Sequence, residues 1–196
     1  DIGFEMYQRI LAEAVKELKE SEFKDIYVKN TSDSFLVDEC QIDTDMEILI
    51  PDHYVNSISE RLQLYKDLNT IENEDKLNIF VEQITDRFGK IPPEVEKLLH
   101  TIRLRWIAKD LGFEKIILKA NKMIAYFVAN PNSAFFQSEQ FGLILKFIQL
   151  HPKACQMKEK NNKLSLIFEK ISTVEMALIQ LKMITNKLAR PTQNFI

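Results

Sequence analysis

The sequence predicts an α+β fold: a helical N-terminal half followed by two ββα units that form a small antiparallel sheet with packed helices. Three observations carry that expectation. Apolar residues recur at spacings of three and four from about residue 58 to residue 111, the period of a helix with one buried side. From Phe113 onward the pattern shortens to apolar runs of strand length, interrupted by Ala120-Asn121 and Asn161-Asn162. A helical pattern follows each of these two hairpin patterns, so the same order occurs twice in succession.

Taken in chain order, residues 3–20 read as an amphipathic helix whose stripe is Phe4, Tyr7, Leu11, Val15 and Leu18, with Glu5 and Arg9 as a supporting pair. Residues 22–40 lose periodicity and hold the polar run Lys29-Asn30-Thr31-Ser32-Asp33-Ser34, so they are assigned as a linker. The chain begins at Asp1 without a methionine, and a piece of a longer protein is expected, with the first helix (residues 1–21) belonging to an upstream domain. Residues 42–50 alternate. Ile42, Thr44, Met46, Ile48 and Ile50 face one way and Asp43, Asp45 and Glu47 the other, which predicts a half-buried strand stopped by Pro51-Asp52. This strand opens a C-terminal domain assigned to residues 41–188, with a tail at 189–196.

Ser57-Ile58-Ser59-Glu60 reads as a capping box, and Ile58, Leu62, Tyr65 and Leu68 continue as the buried stripe of the helix it starts. Asn73 caps the next helix, with Leu77, Phe80, Val81, Ile84 and Phe88 on its apolar side. Gly89 ends that helix, at a position where a left-handed backbone costs glycine little, and Pro93 opens the following one. That helix runs to Leu111 and stops at Gly112. Its apolar positions cover a wide arc, which predicts the most buried helix of the chain.

In the second half, Lys115 to Lys119 and Met123 to Val128 flank the first hairpin turn, and Ala154 to Glu159 and Leu164 to Phe168 flank the second. A helix from Ser138 to Leu150 turns Phe141, Ile144, Leu145 and Ile148 inward, and a second capping box, Ser172-Thr173-Val174-Glu175, starts the last helix.

Composition narrows the function. The chain is 45% apolar and 28% charged with a net charge of −3, so no bulk attraction to nucleic acid or anionic lipid follows, although local patches can differ. No apolar run approaches the roughly 20 residues of a membrane span. Cys40 and Cys155 stand far apart without partner spacing and read as reduced cytosolic thiols. Neither G-x-x-x-x-G-K-[ST] nor G-x-G-x-x-G occurs, which argues against an ATPase in this stretch. Asp43, Asp45 and Glu47 resemble oxygen ligands for a hard cation but lack the glycine turn and bidentate glutamate of a calcium loop. A solvated strand face is the plainer reading. His53, His100 and His151 are scattered and lack zinc spacing. No catalytic constellation, cofactor site or metal site is expected.

Two surfaces remain. From Arg103 to Lys122 lie six bases and two acids around Trp106, and Arg103, Arg105, Lys109, Lys115, Lys119 and Lys122 form a candidate nucleic-acid face. A solvated basic face is the alternative. On the helix leading to Gly89, Glu82 and Asp86 are like charges one turn apart with Gln83 and Arg87 beside them. That polar face at a rigid helix end suits docking to a basic partner. Its alternative is plain surface, with Arg87 neutralising Asp86.

A family resemblance sharpens the choice. Ile2-Gly3-Phe4-Glu5-Met6-Tyr7 resembles the stretch just after the motor of bacterial transcription-repair coupling factors. Asp52-His53-Tyr54-Val55, Arg61-Leu62-Gln63-Leu64-Tyr65-Lys66, Asp86-Arg87-Phe88-Gly89 through Pro92, Ile102-Arg103-Leu104-Arg105 and Leu111-Gly112 resemble the C-terminal domain of that family. The resemblance implies a non-catalytic, cytoplasmic module that trails a DNA translocase, whose own motor uses ATP and magnesium to push stalled RNA polymerase off damaged DNA. It implies an autoinhibitory contact with the UvrB-like module of the same protein, hiding the surface that recruits UvrA. By position, Glu82, Gln83, Asp86 and Arg87 would make that contact, with Asp86 paired to a basic side chain. Relatives commonly carry an acid three places before the motif's aspartate. This chain has Gln83 there and Glu82 one place earlier.

Overall fold

The computed structural model describes residue 37 and residues 39–188. The expected helix at 3–20, most of the linker and the tail lie outside the described residues. The elements run β1 (Gln41–Thr44), α1 (Ile58–Thr70), α2 (Glu74–Phe88), α3 (Pro93–Asp110), β2 (Phe113–Lys119), β3 (Lys122–Phe127), α4 (Glu139–Leu150), β4 (Gln156–Lys160), β5 (Lys163–Glu169) and α5 (Val174–Leu188), with a short 3-10 turn at Ala134–Gln137. Two compact units result. The first spans Glu47–Leu99; the second joins the β1 stretch up to Met46 with the chain from His100 onward.

In the first unit, Ser57 caps α1 by accepting the Glu60 N–H, and Asn73 caps α2 by accepting the Lys76 N–H at 3.0 Å. Leu64, Tyr65 and Leu68 of α1 and Leu77, Phe80 and Ile84 of α2 are buried. Ile58, expected in the α1 stripe, is 60% exposed: it occupies the first helical turn, ahead of the part of α1 that enters the core. The Ile50 N–H donates to the buried Tyr65 hydroxyl oxygen at 2.7 Å. At the corner, Gly89 has φ 87° and ψ −161°, the mirror image of extended backbone rather than the left-handed helical conformation, and this region is nearly exclusive to glycine. The Tyr54 hydroxyl lies 3.2 Å from the Ile84 carbonyl and 3.0 Å from that of Gly89. It thus serves the Gly89 carbonyl, which lies past the end of α2, and shares the Ile84 carbonyl in its last turn.

The second unit is built on a five-stranded sheet of order β1-β2-β3-β5-β4. Both hairpins form as expected, on tight turns with positive φ at Ala120 and Asn121 and at Asn161 and Asn162. The register Lys122↔Glu169 puts β3 and β5 side by side and antiparallel, so the two turns sit at opposite ends of the sheet. The sheet is mixed rather than wholly antiparallel, because β1 pairs parallel to β2 from Gln41↔Lys115 to Thr44↔Leu118. The helical segment between them is long enough for the crossover that parallel pairing needs. The expected strand over 42–50 is shortened to β1. The Thr44 hydroxyl accepts the Met46 N–H at 3.1 Å and turns the chain out of the ladder.

One face of this sheet is core. Ile116, Leu118, Met123, Ala125, Leu166 and Phe168 are at most 1% exposed. Phe127 joins an aromatic cluster with Phe113, Phe135, Phe136 and Phe141, which brings the 3-10 turn and α4 onto that face. Ile144 and Phe147 are the buried residues of α4, while Leu145, expected inward, is 36% exposed. On α5 the cap is Thr173, whose hydroxyl accepts the Met176 N–H at 3.1 Å, one residue later than expected. Glu175 is drawn instead to His100, Nδ1 to Oε1 3.0 Å.

Candidate docking face on α2 and the basic residues

The α2 apolar stripe dictates what its outer side presents. With Leu77, Phe80 and Ile84 inward, Glu82, Gln83 and Asp86 fall on the exposed side, at the spacing that stacks side chains along one helix face. Ile79 completes the row at i, i+3, i+4 and i+7 and is 55% exposed, a large apolar side chain amid polar neighbours. Sequence reasoning passed over Ile79. Its signal was there, because it lies three residues before Glu82 and off the inward stripe. Neither Glu82 nor Asp86 has an ion-pair partner among the described residues.

Arg87 is placed differently from its three companions. Its guanidinium pairs with Glu60 of α1, not with Asp86, and its Cζ lies 5.0 Å from the Phe88 ring centroid. Phe88 in turn faces Tyr54 with ring centroids 5.9 Å apart. Arg87 therefore ties α2 to α1 at the corner, and the open negative charge of Asp86 is left uncompensated beside it. The plain-surface alternative, Arg87 neutralising Asp86, is not the arrangement observed. Both expected capping glutamates, Glu60 and Glu175, serve partners on other elements.

The six basic residues read from sequence do not share one surface. Arg105 of α3 is 8% exposed, and burial pushes its guanidinium below its ordinary pKa against the pull of Glu39 and Cys40. Arg103 and Lys109 are half-buried on the same helix, as is Trp106. Lys115, Lys119 and Lys122 stand on the β2–β3 hairpin, where Lys119 pairs with Asp43 and Lys122 with Glu169. The strand-face carboxylates are thus engaged, Asp43 by Lys119 and Asp45 by the Ala120 N–H at 3.3 Å. Among the described residues no group of three or more His, Cys, Asp or Glu is arranged to hold a metal ion. His151 stacks on Phe147 at 4.5 Å, and His53 opens onto a shallow cleft with Glu47, Asp52, Arg61 and Glu94. No helix among the described residues is long and apolar enough to cross a membrane.

Comparison with known proteins agrees with this architecture. A family model described as the TRCF domain matches residues 44–138. A transcription-repair-coupling factor of Rickettsia typhi is 26% identical over 167 residues, covering 85% of this chain and 13% of that protein. The transcription-repair-coupling factor of Escherichia coli K12 is 30% identical over 118 residues, covering 59% of this chain and 10% of that protein. The chain thus matches only a small part of the length of these relatives. Among solved structures, a C-terminal domain of transcription-repair coupling factor has the same fold, with a TM-score of 0.63 at 18% identity over 78% of this chain and 96% of that one.

Proposed function

Since the chain belongs to the transcription-repair-coupling-factor family, carrying its TRCF domain and the fold of its C-terminal domain, we propose that it is a non-catalytic regulatory domain. It docks on a UvrB-like module of the same protein and masks the surface that UvrA binds. The observation that carries this reading is the single exposed row Ile79–Glu82–Gln83–Asp86 on α2, backed by the Arg87–Glu60 pair that braces the helix end. An apolar side chain with the unpaired carboxylates of Glu82 and Asp86 following it along the same face suits a partner with a basic side chain beside an apolar one: the contact is apolar, and the charges set orientation and encounter rate.

Within the parent protein the two modules share a chain, so docking is intramolecular. A modest interface then stays closed at an effective concentration that reaches the millimolar range for a short flexible linker. Opening follows when another state of the motor is favoured, a shift of population rather than a chemical step. In this reading the domain takes no cofactor. ATP, magnesium, the duplex along which the motor moves and RNA polymerase are the business of other domains.

The test is a calorimetric titration of this chain with the UvrB-like module. We expect Asp86→Arg to weaken binding at least tenfold, which is about 1.4 kcal/mol. Ile79→Arg should do the same by removing the apolar contact, and Lys66→Glu should leave binding unchanged. Full affinity in both the Asp86→Arg and Ile79→Arg variants would move the clamp off α2.

A further inference from the structure

The face of the sheet opposite the core has an uneven charge that the function above does not use. Strand alternation and register place Gln41, Lys115, Tyr126, Ser165 and Lys158 in one row across all five strands. The cross-strand pair Lys160↔Lys163 lies beyond that row at the β4–β5 turn, and Asp43, Ile117, Ile124, Ile167 and Gln156 form the row on its other side. At the far end stand Lys119, Lys122 and Glu169. Every residue of this face except Ser165 is at least partly exposed.

The two ends differ. At the β2–β3 turn the lysines are neutralised by Asp43 and Glu169. Toward the β4–β5 turn, Lys115, Lys158, Lys160 and Lys163 have no ion-pair partner among the described residues, and Glu114, the bulge residue beside Lys115, turns its carboxylate to the Ala129 N–H at 2.8 Å. Tyr126 stands between them on the central strand β3. Its hydroxyl has no hydrogen-bond partner among the described residues, and on the row beside it the Ser165 hydroxyl donates to the Lys158 carbonyl at 3.1 Å. In a chain of net charge −3, a half-face with four uncompensated positive charges is a local reversal of sign.

We propose that this half of the sheet face binds single-stranded nucleic acid. From Lys115 on β2 to Lys158 on β4 is roughly 14 Å, three strand spacings, so a strand laid across the sheet can meet ammonium groups at both margins. Tyr126, flush with the surface between them, offers a flat ring on which an unstacked base can lie. A duplex keeps its bases stacked inside and gives the ring nothing to hold, so the aromatic favours the single strand. This surface is distinct from the six-residue basic set read along the sequence: it keeps Lys115 and adds Lys158, Lys160 and Lys163, which the fold brings to it from a separate hairpin.

The experiment is fluorescence anisotropy of the full chain with a labelled oligodeoxythymidine and with a labelled duplex, from about 50 to 200 mM salt. With four lysines engaged, the log–log salt slope should lie near −3, so affinity falls roughly 50-fold across that range. The triple variant Lys158→Glu, Lys160→Glu, Lys163→Glu should bind at least tenfold more weakly with a flatter slope. Tyr126→Ala should weaken binding roughly tenfold and leave the slope unchanged, because stacking releases no counterions. All three lysines and the tyrosine lie off the core, and far-UV circular dichroism is the check that the variants fold. No binding by the unaltered chain at low salt, or binding that survives the triple reversal, overturns the proposal. So does equal affinity for the duplex with indifference to Tyr126→Ala.

Discussion

A Cβ placed on Gly112 would lie 2.3 Å from the Phe135 ring, at a backbone φ of +75°. The residue that ends α3 is therefore held to glycine by conformation and by the aromatic cluster packed over it. Gly112→Ala is expected to cost about 3 kcal/mol, from overpacking together with the left-handed backbone, read as a lower urea midpoint. Gly142 is the control. It sits inside α4 with nothing within 4 Å of its missing Cβ, so Gly142→Ala should raise stability by roughly 0.5–1 kcal/mol. The glycine at 112 was legible as a helix stop, but the clash with Phe135 was not, since nothing local couples residues from two different elements.

The cysteines make a second statement at this scale. Both are free and buried, and burial pushes the Cys40 thiol up to about 12 and the Cys155 thiol to about 11 from an ordinary value of 9.0. Burial also raises the Tyr65 hydroxyl, against the Ile50 N–H bond and the charge of Arg61. A raised acid keeps its proton in the fold while the unfolded chain ionises, so the unfolded state binds fewer protons above about pH 9. Stability is whole below that point and falls as pH climbs toward about 11 and 12. Urea midpoints measured through that range should drop, and the drop should be smaller in Cys40→Ala even though that variant starts lower.

Among the elements, the helix starts show how far local signals reach. Ser57 and Asn73 cap where the sequence puts them, because a short hydrogen-bonding side chain ahead of an apolar stripe has one local use. The reciprocal half of each capping box is different: Glu60 goes to Arg87 and Glu175 to His100. Burial raises the Glu175 carboxyl, but hydrogen bonds from His100, its own backbone and Thr173 outweigh it and leave the group below its ordinary range. For Glu60 the charged guanidinium of Arg87 outcompetes a neutral backbone N–H, and no sequence pattern announces either partner. Cap position can be measured directly. Thr173→Ala should cost about 1 kcal/mol while Ser172→Ala costs a few tenths at most, by thermal or urea unfolding. The reverse order would return the cap to Ser172. The α2 docking row belongs here too: period alone placed Glu82, Gln83 and Asp86 outward, yet Ile79 was missed because an apolar residue off the stripe looks like noise until its exposure is seen.

At the scale of the whole molecule, the two ββα units and the three helices before them were legible because each is a local pattern bounded by glycine, proline or paired turn residues. What joins them was not. Hairpins announce their own pairing through the turn, whereas the β3–β5 contact and the parallel β1–β2 pairing connect segments with no shared signal. The basic residues show the same limit. Grouped by sequence they ran from Arg103 to Lys122, but alternation and pairing sort them by face, burying Arg105 and bringing Lys158, Lys160 and Lys163 beside Lys115.

The parallel seating of β1 also sets an order in time. The β2–β3 and β4–β5 hairpins close short loops and can form within microseconds. β1 belongs to the same unit, yet the three helices α1 to α3 separate it in sequence from β2. Closing that loop carries the larger entropy cost and gains few contacts until β2 is in place. β1 is thus expected to be the last strand to arrive, and until it does the β2 edge stands open, rich in isoleucine and leucine. The opposite edge, β4, is guarded at every stage by its own lysines. A nascent or heat-stressed chain is therefore vulnerable to pairing with its neighbours along one side of the sheet only, and for only as long as four residues near the beginning of the domain remain undocked.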